Sequence, residues 1–186
     1  MDAREVILIR YDELASMIAT RLPACGATTV VAVDGPSGAG KSMLASDLAR
    51  VIGASVLHLE DLYPGWHGLE ATPPTVARDV LSPIAADRTG SVRRWDWHAG
   101  RPGEPMTCPP VPVLIVDGVG SGARVLRPFI SFLLWVDAPL AVRRERALAR
   151  DGTTYEAWWD VWAEQERSHF LREGTRAAAD AVLTTG

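Results

Sequence analysis

The chain has 186 residues, a length that suits one domain with a sizeable core, and its 47% hydrophobic and 23% charged residues are an ordinary globular balance. A formal net charge of -4 excludes a molecule built as a whole to hold nucleic acid electrostatically. No apolar run approaches the roughly 20 residues of a membrane span, and the opening MDAREVILIRYDEL puts acidic residues where a signal peptide needs a basic start, so a soluble, cytoplasmic protein is expected.

Residues 12–21 show helical spacing of Leu14, Ile18 and Leu22. The β-branched run 28–33 (TTVVAV) reads as a buried parallel strand. DGPSGAGKS follows, and then MLASDLARVIG, a helix closed by Gly53. SVLHL (55–59) reads as a second strand, leading into a loop marked by Pro64, Gly65 and Gly68. Residues 75–88 are expected to be helical, with Pro83 bending or breaking the helix. RRWDW (93–97) reads as a short strand and HAGRPGEPMTCPPVP as a Pro/Gly-rich connection. VPVLIVDG (111–118) and ISFLLWVD (130–137) are buried strands, 138–152 and 154–174 are helices, and ADAVLTT (179–185) is a final strand. Strands alternating with helices imply a single α/β domain over 1–186, with a parallel sheet covered on both faces. Cys25 and Cys108 lie far apart, outside any metal-ligand spacing, and read as incidental thiols.

Gly35-Pro36-Ser37-Gly38-Ala39-Gly40-Lys41-Ser42 satisfies G-x-x-x-x-G-K-[ST], between an expected strand and an expected helix. Glycines let the backbone curl until several N–H groups point at phosphate oxygens, and the next helix presents its positive end to the same anion. Gly35, Ser37, Gly38, Ala39, Gly40, Lys41, Ser42 and Met43 are therefore the expected nucleotide-binding positions. Lys41 would bridge the terminal phosphates, and Ser42 would ligate Mg²⁺. Of 19 basic residues 18 are arginine, so Lys41 is the single lysine of the chain. Asp117, ending VLIVD, suits the acid that holds the metal or borders the substrate, and Asp34 is read as shaping the turn. The chain has no asparagine and no second lysine, so it lacks the Asn-Lys-x-Asp element with which GTPases read guanine. ATP is the expected nucleotide.

Phosphoryl transfer needs a triphosphate cradle, a metal, cations on the moving group and a base for the acceptor hydroxyl. Glu60 or Asp61, at the carboxyl end of a strand, would face the P-loop's crevice. Arg143, Arg146 and Arg150 share a helix face and, with Arg144, could close over the transferring group and exclude water. Trp66, in a Gly/Pro loop beside the acidic pair, is a candidate for stacking on a substrate. Trp158 and Trp162, at i,i+4, are expected to pack on the core. Of Trp95 and Trp97, one is expected at the pocket and the other in the core. The histidines share no metal-ligand spacing and are read as structural or surface groups, with His98 singled out because it lies between the RRWDW segment and a flexible loop.

The order of these elements resembles the uridine kinase and phosphoribulokinase-like group of P-loop kinases. LHLEDLYPGW is similar to that group's acidic-aromatic motif after the second strand. Aligning Leu62-Tyr63 to its aromatic pair puts Glu60 at the usual aspartate with Asp61 beside it, and the base stays open between the two. RRWDW resembles the Tyr-Asp-Phe segment that touches the nucleoside or sugar, with Trp95 for tyrosine, so the resemblance assigns Tyr63, Arg94, Trp95 and Asp96 to the acceptor. RRERALARDG resembles the arginine-rich lid, with Arg146 and Arg150 at the lid arginines. The implied fold is a P-loop NTPase three-layer α/β/α sandwich with a mostly parallel five-stranded sheet and a short lid. The implied activity is ATP- and Mg²⁺-dependent phosphorylation of a small hydroxyl-bearing metabolite such as a nucleoside, sugar or vitamin precursor. VDGPSGAGKS is also like the first motif of cytidylate kinases, which leaves a monophosphate kinase as one alternative, with Arg93, Arg94 and Arg101 as its extra anion site. A nucleotide-gated regulatory module is another. Oligomeric state is left open.

Overall fold

The computed structural model describes residues 3–185, and the side chains of 11–149, 152 and 155–185. Five strands form one parallel sheet: β1 (Thr29–Asp34), β2 (Ser55–His58), β5 (Val113–Asp117), β6 (Phe132–Asp137) and β7 (Ala181–Thr184), in the order β2-β5-β1-β6-β7. β3 (Gly90–Asp96) and β4 (Arg101–Cys108) pair only with each other, as an antiparallel hairpin. The expected loop after RRWDW is thus half of that hairpin. Pro102, Pro105 and Gly103 read as loop residues, yet a two-stranded ribbon has a free edge on both sides, and proline is tolerated where no ladder N–H is required.

Period-2 alternation sorts the sheet's side chains onto two faces. Val31 and Val33 of β1, Ile115 of β5 and Leu134 of β6 pack against α1 (Ala3–Ala19) and α2 (Lys41–Ile52), which bring Tyr11, Leu14, Ile18, Leu44 and Leu48. Val30, Leu57, Leu114 and Val116 face the other way, onto the segment after residue 72 and the tryptophans of α6 (Trp159–Glu173). Leu22 takes no part: α1 ends before it and its side chain is 84% exposed.

Residues 72–85 stay helical through Pro83, by way of α3 (Thr72–Val76), a π turn (Ala77–Leu81) and α4 (Ser82–Ala85). The wide turn lets the Ser82 N–H and its hydroxyl (2.7 Å) both donate to the Ala77 carbonyl, so the helix continues past the missing proline donor. α5 (Leu140–Glu156) is broken where expected, at Gly152 (φ 63°, ψ -148°), and α7 (Thr175–Ala178) leads into β7.

From β1 the chain passes to β2 at one edge of the sheet, fills in β5 between them, and then crosses β1 to β6 and β7 on the other side, so the loops after β1, β2 and β5 open near one switch point. Close approach fixes the first of them. A Cβ on Gly35 (φ 140°) would stand 1.9 Å from the Val136 carbonyl oxygen, and one on Gly38 (φ 78°) would stand 2.1 Å from that of Arg143. Gly35→Ala is expected to lower stability by about 3 kcal/mol through combined strain and clash, measured by urea denaturation.

Candidate active site

A cavity of about 790 Å³ lies at the carboxyl ends of β1, β2 and β5. Ser37, Gly38, Gly40, Lys41, Ser42 and Met43 line it on one side, and Glu60, Asp61, Tyr63, Trp66, Trp97 and Asp117 line it on another. Gly118, Val119, Arg146, Ala147, Tyr155 and Trp162 complete the wall. The P-loop, the acidic pair, the strand-end aspartate and one lid arginine therefore share one space. Gly35 and Ala39 do not reach its wall: Gly35 is the buried exit from β1, and the Ala39 carbonyl accepts the Thr185 hydroxyl at 2.8 Å.

The P-loop is held from beneath. Asp34 is fully buried and its carboxylate accepts the N–H groups of Gly35 (2.7 Å), Gly120 (3.0 Å) and Gly122 (2.8 Å). Burial pushes the Asp34 carboxyl above its ordinary pKa, against these donors and the nearby Lys41. Lys41 is buried, and its ammonium donates to the Pro36 carbonyl at 3.0 Å, within the loop's own curl.

At the end of β5, Asp117 is 2% exposed. Its Oδ2 lies 2.8 Å from His58 Nδ1, its register partner on β2, while its buried Oδ1 has no hydrogen-bond partner among the described residues. Hydrogen bonding to Asp117 raises the His58 pKa above its ordinary value, burial opposing it. His58 had read as a plain strand residue, because its partner comes from a strand some 60 residues on. An orphaned buried carboxylate oxygen in a cavity that Ser42 also lines suits a hard divalent ion. Among the described residues no group of three or more His, Cys, Asp or Glu side chains could cage a metal.

The acceptor side departs from the sequence expectation. Trp95 lies over Gly65, opposite Pro102, and does not line the cavity. Asp96 Oδ1 accepts the N–H groups of His98 (3.0 Å) and Ala99 (2.9 Å), closing the hairpin turn, and Asp96 does not line the cavity. Arg94 sits outside the wall, 3.8 Å from Asp61. Trp97 enters the cavity instead, its indole N–H donating to the Glu60 carbonyl at 3.0 Å. A register shift between Arg93 and Trp95 re-aims the strand end, and nothing in the local sequence marks it.

Trp66 packs against Trp97 (4.9 Å between ring centroids), Tyr155 (5.3 Å) and Trp158 (5.9 Å). Tyr63 is buried, with its hydroxyl donating to the Val119 carbonyl at 2.9 Å, and burial carries its pKa well above the ordinary phenol. Arg143 is tied to the Ala138 carbonyl at 3.1 Å at the start of α5, and Arg144 is exposed. Arg146 donates to the Thr185 hydroxyl at 2.9 Å at the cavity edge. The Arg150 side chain lies outside the described residues.

Asp117→Asn is expected to weaken Mg²⁺-dependent nucleotide binding about 10- to 100-fold, read by titrating Mg²⁺ against a fluorescent nucleotide. Because the folded His58 pKa is raised, its stabilisation is complete below the ordinary histidine value of about 6.5 and is lost as pH rises through the folded value. The thermal midpoint of metal-free protein should fall over that rise, and His58→Gln should flatten it.

No protein-family model matches the sequence, and no curated protein matches it. Solved structures do. A protein described as a possible uridine kinase from Bacillus stearothermophilus is similar over 98% of this chain and 100% of its own, at 19% identity and a TM-score of 0.69. A candidate fructose transport system kinase from Silicibacter sp. TM1040 is similar over 92% and 98%, at 17% identity and a TM-score of 0.60. The chain has the P-loop kinase fold that these two proteins share, the fold implied by its resemblance to the uridine kinase and phosphoribulokinase-like group.

Proposed function

We propose that the protein is an ATP-dependent kinase that transfers a phosphoryl group to a hydroxyl of a small metabolite. The observation that carries this reading is a single cavity lined both by the P-loop and by the carboxylates of Glu60 and Asp61. Backbone N–H groups of Gly38, Gly40, Lys41, Ser42 and Met43 would cradle the phosphates, while that of Ala39 is held by the Pro36 carbonyl at 3.2 Å, with Lys41 bridging the terminal pair. Ser42 and Asp117 would hold Mg²⁺, which when bound neutralises charge on the transferring phosphoryl group. Glu60 or Asp61 would orient the acceptor hydroxyl and take its proton. Arg146, and with it Arg150, would meet the charge that develops in transfer. Tyr63, Trp66 and Trp97 give the acceptor an aromatic wall.

Two features support a hydroxyl acceptor over a nucleoside monophosphate. None of Arg93, Arg94 and Arg101 lines the cavity, and Arg93 donates to the Gly103 carbonyl within the hairpin. A volume of about 790 Å³ supports an enzyme over a regulatory module with a flat nucleotide-gated face.

The test is ATP-to-ADP turnover with Mg²⁺ across nucleosides, nucleoside monophosphates, sugars and vitamin precursors. One hydroxyl-bearing class should raise ADP release well above the basal rate, and Lys41→Ala should abolish the rise. Of Glu60→Gln and Asp61→Asn, the one that removes the base should lower kcat about 10²- to 10⁴-fold. A slow basal rate that no acceptor moves would sink the kinase reading.

A further inference from the structure

Glu166 is a carboxylate that neither catalysis nor metal binding requires. It lies on α6 and is 5% exposed. Its Oε1 accepts the backbone N–H of Ser37 at 2.8 Å and the indole N–H of Trp162 at 2.8 Å. The same indole N–H lies 2.9 Å from Ser37 Oγ, so it is shared between the carboxylate and the hydroxyl. Trp162 and Glu166 stand at i,i+4 on one helix face, which lets both reach a single P-loop residue 125 or more positions earlier in the chain.

A bare carboxylate beside an anion-binding loop is electrostatically adverse for phosphate, and burial makes it costly unless it is hydrogen-bonded. Here it is bonded to the loop itself. Ser37 directly precedes Gly38, whose left-handed backbone (φ 78°) sits against the Arg143 carbonyl with no room for a side chain. With the Ser37 N–H turned to Glu166, the peptide between Pro36 and Ser37 is fixed in orientation, and the carbonyl of that same peptide accepts the Ala39 N–H at 3.2 Å and the Lys41 ammonium at 3.0 Å, closing the curl. Trp162 also presents its ring to the other end of that cavity, 4.9 Å from Tyr63 and 6.4 Å from Trp66.

We infer that Glu166 and Trp162 are positioning residues for the nucleotide loop, acting through Ser37 to preorganise its phosphate-binding curl. The inference rests on the nucleotide-binding reading above. It is the acceptor geometry of Glu166 and the donor of Trp162 that matter, so a glutamine at 166 can replace the carboxylate while a side chain without an acceptor cannot.

The experiment is calorimetric titration of MgADP into wild type, E166Q, E166A, W162F and the E166A/W162F double variant, with the thermal midpoint of each measured in parallel. E166A and W162F should each weaken MgADP about tenfold, the scale of a lost hydrogen bond to a charged group. E166Q should stay within about threefold of wild type. The double variant should lose little more than the weaker-binding single variant, because the residues act as one unit. W162F keeps the aromatic ring in place and so tests the donor even where E166A fails to fold. Wild-type affinity in W162F and E166A alongside a lowered thermal midpoint would overturn the inference, leaving the network only to dock α6. Equal losses in E166Q and E166A would also overturn it, since geometry would then not be the determinant. Wild-type protein that does not bind MgADP would overturn the nucleotide-binding reading itself, and this inference with it.

Discussion

The site depends first on the three N–H groups that converge on Asp34. A carboxylate with no solvent is tolerable only with its lone pairs engaged, and here the donors come from two separate loops. Gly35 belongs to the turn that leaves β1. Gly120 and Gly122 belong to the turn that follows Asp117. One buried side chain thus ties the phosphate loop to the loop beyond the metal-binding candidate, and the space between is set by backbone. Gly122 has its own packing constraint, since a Cβ there would stand 2.5 Å from Thr175 Cγ2 and 3.2 Å from Asp34 Oδ2.

On that frame the cavity is chemically divided. Its phosphate end carries Lys41, backbone N–H groups and the start of α2, and the far end carries carboxylates and indoles. Arg146 stands at the edge between them, parked on Thr185, which in turn donates to the P-loop carbonyl of Ala39. This polarity suits a reaction in which a polyanion lies at one end and a hydroxyl must be stripped of its proton at the other.

What the sequence made legible was local. The P-loop is contiguous, its strand and helix adjoin it, and the parallel sheet follows from apolar runs alternating with helical ones. Asp117 was legible because it ends β5, and Glu60 and Asp61 because they lie in the turn directly after β2, and strand ends in such a sheet converge. What stayed hidden was set by pairing at a distance. His58 reads as an ordinary strand residue until β2 is laid in register with β5. Glu166 and Trp162 read as one more amphipathic helix face, because nothing within α6 announces that Ser37 will be its partner. The hairpin was hidden for a different reason: its second strand is written in prolines and glycines, which locally signal a loop, and only an unshared edge makes them acceptable. The displacement of Trp95 by Trp97 at the cavity follows from that ribbon's register shift.

The hairpin's independence has a consequence for how such a protein can change over evolutionary time. Its two strands bond only to each other, and it meets the segment of Glu60 and Asp61 through the Trp97 N–H on the Glu60 carbonyl and through Arg94, 3.8 Å from Asp61. Residues on the ribbon can therefore be exchanged, lengthened or recoded without disturbing a hydrogen bond of the central sheet or of the P-loop. Under the kinase reading proposed above, the ribbon around Trp97 can be recoded in a lineage while the loop that would hold phosphate stays under undiminished selection.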